Sequence, residues 1–287
     1  MSTIRIVTDS ACDLPQALVD QHGITVVPLS IRFGDEELLD REQLTTAEFW
    51  ARCAQSPTLP ETAAPAPGQF EQAYRGLAAE GATGIVVVNL SGAMSATIQS
   101  AELAARAFAE GEGGIPVRVV DSRSCTLGLG TIVLAAAERA AAGASIDEVA
   151  ALADDLATRT RVFGAVDTLE NLKKGGRIGG AKALLATALA IKPIIQVVDG
   201  KVEEYGKQRT RSKALKFLAD KVAEFTAGDP SRIEQLAVLQ ADCTDVDEFV
   251  AMLRPYYPGD IVVGEIGPVV GTHAGRGTIG VAFQTNG

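Results

Sequence analysis

The chain has 287 residues, 47% of them hydrophobic, 22% charged and only 5% aromatic; that length favours two domains, and the balance is that of a soluble α/β protein built on Ala, Val, Leu and Ile. A net charge of −10 speaks against nonspecific nucleic-acid binding, since a polyanion needs a basic footprint. No run of about 18 uncharged apolar residues is present to span a membrane, and charges within the first ten residues oppose a signal peptide, so a cytoplasmic protein is expected.

Ile4–Thr8 reads as the first strand. Asp13, with Pro15 behind it, should open a helix reaching Gln21, because Asp caps helices and Pro suits their first turn. Thr25–Ile31 is predicted as a second strand. Thr45 and Glu48 have capping-box spacing and begin a helix to about Gln55, with a proline-rich linker over Pro57–Pro67 behind it. Gly84–Leu90 suits a strand buried on both faces, Thr97–Glu110 is helical, and Val117–Asp121 is again a strand. Helices follow over Leu127–Ala142 and, from a Ser145/Glu148 capping box, Ser145–Arg159. Strands alternating with helices predict a mostly parallel sheet flanked by helices.

After Arg161 the pattern changes. Arg161–Val166 is a strand and Ala181–Leu189 a helix. Pro193–Val198 and Lys201–Tyr205 form a hairpin, because Asp199-Gly200 supplies the positive φ angles of a type I′ turn. Ser212–Thr226 and Thr244–Leu253 are helical, with strands near Leu236–Ala241, Ile261–Gly264 and Thr278–Phe283. This half is expected to be a mixed or antiparallel sheet with helices. The fold class is therefore α/β in two domains, 1–160 and 161–287.

Ligands of open parallel sheets bind beyond the carboxyl ends of the strands. Those ends are polar here: Thr8-Asp9-Ser10, Ser91–Ser95 and Asp121–Ser124. Ser95 stands where a helix begins, a place suited to an anion, although Ser and Asp at such positions also serve simply as caps. His273 lies in Gly271-Thr272-His273-Ala274-Gly275, which reads as a glycine-flanked loop bending closely around something; a structural histidine held by carbonyls is the plainer account. His22 reads as a surface residue. Cys12, Cys53, Cys125 and Cys243 are widely spaced with only two histidines in the chain, so reduced thiols and no metal site are expected. Gly275–Gly280 satisfies G-x-G-x-x-G but only seven residues follow, too few for a pyrophosphate-binding helix. Gly175–Lys182 resembles a P-loop, yet Ala181 stands in place of its lysine. Between Arg159 and Lys216 the chain carries 13 basic and 5 acidic residues, a segment suited to an acidic or phosphate-bearing partner.

Across almost its full length the chain resembles the DegV family of bacterial fatty-acid-binding proteins. The matching segments are Val7–Ser10 with Asp13-Leu14-Pro15, Thr62 ahead of Pro65, Met94–Ala101, Val120–Ser122, Leu169–Ile178, Lys192–Ile194, Arg209–Ala214 and Gly271–His273. The resemblance implies that Thr62, Ser95 and His273 hold the carboxylate of one long-chain fatty acid, whose tail runs through an apolar pocket between the domains. Asp9, Ser10, Met94, Ala96, Thr97 and Thr272 would line or support that pocket. Arg177 and Arg209 would form a basic face for an ATP-dependent fatty acid kinase, which phosphorylates the bound acid for phospholipid synthesis. The chain departs from the family pattern at Ala63 and Ala64, where Ser-Gln is usual, at Ala96, where glycine is usual, and at Arg276, where proline is common.

A lipid-binding carrier, not itself an enzyme and without a cofactor, is thus expected, monomeric and in only transient contact with membranes. The competing reading is an acyl hydrolase or transferase with Ser95 as nucleophile, His273 as base and Asp9 or Asp121 as orienter. Neither G-x-S-x-G nor S-x-x-K occurs to frame such a serine. A regulatory or nucleic-acid module built on Lys173–Lys216 is a third class, opposed by the overall acidity.

Overall fold

The computed structural model of the chain describes residues 3–111, 113–186 and 191–286. In its first half, β1 (Ile4–Asp9), α1 (Gln16–His22), β2 (Thr25–Val27), β3 (Ser30–Phe33), β4 (Glu36–Leu39), α2 (Thr46–Gln55), β5 (Glu61–Ala63) and α3 (Pro67–Ala79) succeed one another. β6 (Gly84–Asn89), α4 (Thr97–Glu110), β7 (Val117–Asp121), α5 (Thr126–Ala141) and α6 (Ile146–Arg159) complete it. The order β2-β1-β6-β7 makes a four-stranded sheet that is parallel throughout. β6 is buried at every residue, and the period-two alternation of its neighbours divides the packing. Val7, Ile85 and Val87 face Phe70, Tyr74 and Leu77 of α3 and Ala101, Ala104 and Phe108 of α4. Ile6, Val86 and Val88 turn the other way, onto α5 and α6.

The second half comprises β8 (Thr160–Ala165), α7 (Glu170–Lys174), β9 (Lys192–Val198), β10 (Lys201–Gln208), α8 (Arg211–Thr226), β11 (Ile233–Gln240), α9 (Val246–Leu253), β12 (Val262–Glu265), α10 (Pro268–Ala274) and β13 (Ile279–Thr285). Its six strands are ordered β10-β9-β8-β13-β11-β12 and run antiparallel except for the β11–β12 pair. One face packs Phe163, Phe283 and Val238 on Leu215, Leu218 and Val222 of α8 and Phe249 of α9. The opposite face sends Val162, Ala237, Leu239 and Ala282 into the core that contains α5. α5 therefore lies between the two sheets. Gly130 is required there, since a Cβ would stand 2.6 Å from the Cys12 carbonyl.

Several expected elements differ. The run Thr25–Ile31 is split at Pro28, whose missing N–H ends the ladder: β2 stays in the parallel sheet, while β3 pairs with β4 and β5 in a small antiparallel sheet. The proline-rich stretch is more than a linker, because β5 places Thr62 opposite Ile31, and its last residue starts α3, which the reading above lacks. Asp13 does not cap α1. It has φ +51° and its carboxyl accepts the Gly267 N–H at 3.0 Å, while Pro15 occupies the cap position. His273 sits on α10, not on an open loop; Gly271 is needed because a Cβ would press on the rings of Phe49 and Trp50 at 3.0–3.1 Å. Gly179–Ala186 is 3-10 helical, and the remainder of the helix expected to Leu189 falls on 187–189, outside the described residues.

The hairpin turn is as expected, with φ of 48° at Asp199 and 75° at Gly200. Ser91, just beyond β6, donates its hydroxyl to the Gly200 carbonyl at 2.7 Å. A side chain at Gly200 would collide with that hydroxyl, so glycine serves both the turn and the close approach.

Candidate functional site

The carboxyl ends of β6 and β7 meet the inner face of the second sheet around a cavity. Its walls are apolar: Leu29 and Leu90 from the N-terminal half, Val162 of β8, Ile195 and Val197 of β9, Leu239 of β11, and Val269 and Val270 of α10. Gly164 on β8 lines it without a side chain, which widens the bore at that point. No helix among the described residues is long and apolar enough to cross a membrane, and none of their His, Cys, Asp and Glu residues cluster as a metal site would.

Polar groups gather at one end. His273 Nε2 lies 3.1 Å from Thr62 Oγ1, and Ser95, Met94 and Arg177 line the same cavity. Thr62 comes from an edge strand, Ser95 from the turn after β6, and His273 from α10, so the small sheet, the parallel sheet and the second half each contribute one side chain. His273 Nδ1 is buried without a partner against Gly175, where a Cβ would overlap it. Because orphaned buried N–H groups are rarer than orphaned acceptors, the proton is assigned to Nε2, which then donates to Thr62 and leaves the threonine hydroxyl proton for a ligand. Burial, aided by the charge of Arg177, pulls the imidazole pKa down from 6.5 to about 4, so the ring is neutral at neutral pH.

The supporting contacts are local. Thr97 Oγ1 is 2.9 Å from Ser95 Oγ, which also accepts the Thr97 N–H at 3.3 Å. Arg177 Nε donates to the Met94 carbonyl at 3.0 Å, tying α7's end to the Ser95 turn. Asp9 fixes the base of that turn, accepting from Asn89 Nδ2 (2.9 Å), Leu90 N (2.8 Å) and Ala11 N (3.1 Å). Ser10 Oγ accepts the Leu29 N–H at 3.1 Å, and Thr272 donates to the Pro268 carbonyl at 2.8 Å. Asp9, Ser10, Thr97 and Thr272 thus stand behind the lining, whereas Ala96 is exposed outside it and Arg209 is exposed beyond β10. Among the described residues a serine-hydrolase relay is not assembled: Ser95 pairs with Thr97, His273 with Thr62, and no carboxylate holds Nδ1, the contact that orients a catalytic histidine.

Three buried carboxyl groups lie under the site. Burial raises Asp9 from 3.8 to about 6, Asp40 to about 6 and Asp13 to about 7, with hydrogen bonds and Arg41 opposing it in each case. For Asp13, folded and unfolded chains are both protonated below pH 4. From there to about pH 7 only the unfolded chain ionises, so the stability present in acid is lost as pH rises through that window. His273 has the opposite sign below pH 6.5, because its neutral form is the folded one. Asp13→Asn can keep the Gly267 bond and is expected to gain nothing near pH 4 and on the order of a few kcal/mol at pH 8; urea unfolding at the two pH values measures this, and a pH-independent difference would show a normally ionising carboxyl.

A family model described as uncharacterised protein, DegV family, matches residues 3–286. The chain belongs to the DegV family. A DegV domain-containing protein of Streptomyces coelicolor is 40% identical over 285 residues, 98% of each chain. Among solved structures, a DegV family protein from Thermus thermophilus, described by its fatty acid binding, has a TM-score of 0.88 at 35% identity and covers 99% of this chain and 100% of its own. DegV of Bacillus subtilis, described as a fatty acid binding protein, has a TM-score of 0.88 at 27% identity, with both chains fully covered. The two-domain architecture of this DegV chain, a parallel sheet with helices followed by a mixed sheet with helices, is that of these structures.

Of the residues singled out in this DegV sequence, Thr62, Met94, Ser95, Arg177 and His273 come to one cavity. The apolar lining was not singled out, because Leu29, Leu90, Val162 or Leu239 carry no signal that separates a cavity wall from a solid core. Thr126 and Cys125, which also line it, were missed for a different reason: they read as the unremarked start of α5. Cys12 and Cys125 are buried, Cys53 and Cys243 half-buried, and all four are free thiols.

Proposed function

We propose that this protein binds one long-chain fatty acid between lobes 1–160 and 161–287 and presents its carboxylate to a separate ATP-dependent kinase. The observation that carries this reading is an apolar cavity lined also by Thr62, Ser95 and His273, the first and last of them paired. A chain of roughly 16 carbons gains about 0.8 kcal/mol per buried CH₂, on the order of 12 kcal/mol gross, and association costs several kcal/mol of it. The tail alone thus supports tight binding, and the head group needs only orientation. Neutral donors suffice for that, and they leave a carboxylate oxygen approachable for phosphoryl transfer. Fatty acid binding by the solved relatives supports the same reading.

In this reading the protein is a cytoplasmic, monomeric carrier, and the acyl phosphate formed on it feeds phospholipid synthesis. Arg177 and Arg209 belong to the face that meets the kinase. Arg177 also holds the Met94 carbonyl, so Arg209 is the cleaner probe. Arg209→Ala should retain lipid fully while phosphorylation of the bound acid by the kinase slows about tenfold or more, the effect of losing one charge-assisted contact; loss of lipid would instead make Arg209 part of the cavity's upkeep. Native mass spectrometry of freshly purified protein tests the reading itself. One added mass of a fatty acid per chain is expected, and a chain that neither carries nor takes up added fatty acid overturns it.

A further inference from the structure

The sheet of the second half is forked. β8 and β9 are paired only from Phe163 opposite Gln196 to Ala165 opposite Ile194. Thr160–Val162 keep their ladder with β13 on the other side, and Val197 and Val198 keep theirs with β10. In the same register Val162 would face Val197 and Arg161 would face Val198, but no ladder joins them among the described residues. The strands part there around a hollow lined by Arg123, Thr158, Arg161, Val198, Asp199 and Tyr205. Val162, Gln196 and Val197 line both this hollow and the acyl cavity, so the two spaces have a wall in common. The fork lies away from the head group. Ala165, at the other end of β8, pairs with Ile279, and Thr278 beside it donates to the carbonyl of Ala274, the neighbour of His273. From Ala165 back to Arg161 is roughly 13 Å, at about 3.3 Å per residue. A chain whose carboxylate rests at His273 and which runs past Gly164 and Val162 therefore brings its far carbons to the fork.

Where the cavity is apolar, the hollow is basic. Arg161 spends Nη1 on the carbonyls of Thr158 and Thr160, at 3.1 Å each, and this holds the guanidinium while leaving Nε and Nη2 unspent among the described residues. Arg123 has no carboxylate partner either, and Asp199 is the single acid among the residues that line the hollow. Val198, 40% exposed, offers apolar cover to the last carbons of a chain arriving there. Resting on the fatty-acid reading above, we propose that the fork is a second anion subsite, which takes a carboxylate at the far end of the acyl chain, so that the protein binds long-chain α,ω-dicarboxylic acids as well as simple fatty acids. The Nε–Nη2 edge of a guanidinium meets a carboxylate through two parallel N–H groups, which is the edge that Arg161 keeps free. In a cavity closed at that point the second charge would be buried without a partner, at a cost that excludes the diacid. The fork removes that cost by leading the charge to Arg161 and Arg123.

The test compares hexadecanedioic and octadecanedioic acids with palmitic and stearic acids by displacement of a fluorescent fatty acid, in the native protein and in Arg161→Gln, Arg123→Gln and the double variant. Arg123 is exposed, so its variant keeps the fold whatever Arg161 contributes to β8, and monoacid binding reports the fold of each. At least one diacid should displace the probe from the native protein. Its affinity relative to the monoacid of the same length should fall about tenfold in each single variant, the effect of one lost charge-assisted contact, and further in the double variant, while the monoacids bind as before. Diacids that leave the probe in place on the native protein, or whose ratio to the monoacid is the same in the double variant, overturn the subsite. Failure of palmitic and stearic acids to bind the native protein would overturn the fatty-acid reading instead, and this inference with it.

Discussion

Fatty-acid affinity falls on the order of 100-fold when His273 is replaced by alanine, while the melting temperature changes little. The magnitude follows from the Thr62 hydroxyl, which is 3.1 Å from the ring: without the Nε2–H that it accepts, it loses its fixed orientation and with it one hydrogen bond to a charged carboxylate, roughly 1.5–3 kcal/mol. Thr62→Val should therefore cost about as much as His273→Ala. The double variant should cost much less than the sum, since the two side chains act as a pair. Ser95→Ala removes a separate donor, and its effect adds to theirs. Displacement of a fluorescent fatty acid measures all four, and unchanged affinity in both His273→Ala and Ser95→Ala would remove the carboxylate from this end of the cavity. Because the imidazole is already neutral well below physiological pH, its own titration should leave affinity unchanged between pH 6 and 8.

The tail is tested by filling its path. A Cβ built on Gly164 meets nothing closer than Ile195 Cγ1 at 3.7 Å and the Ile279 carbonyl at 3.8 Å, so β8 can carry a side chain at this position, and Gly164→Leu is the variant to use. The added side chain projects among the groups that line the cavity and displaces three or four methylene groups of a bound chain. At about 0.8 kcal/mol each that is roughly a 100-fold loss of affinity for long acids, with little loss for acids short enough to stop before the obstruction. Retention of full affinity for a 16-carbon acid by a folded Gly164→Leu protein would mean that the tail takes another route.

The parts of the fold legible in the sequence were those with strong local chemistry. The capping boxes at Thr45 and Ser145 form as expected, each with the Glu side chain returning to the cap N–H, and Asp199-Gly200 makes its turn. α3 was lost because Ala66 offers no side-chain cap, although Phe70, Tyr74 and Leu77 have helical spacing. Asp13 was misread because its partner, the Gly267 N–H, lies 254 residues away, and no local rule contains that bond. The same limit applies to the site. Thr62, Ser95 and His273 could be named from motif matches, but the pairing of Thr62 with His273 and the neutral state of the ring follow from burial and from β5, a three-residue strand that the prolines around it disguised.

α5 belongs to neither half alone. Its side chains close the floor of the parallel sheet and the inner face of the mixed sheet at once, and its first residue, Thr126, forms part of the cavity wall. Withdrawing that rod would strip both halves of a packing surface, so the molecule should melt as a single cooperative unit, and an acyl chain bound beside it would reinforce regions it never touches.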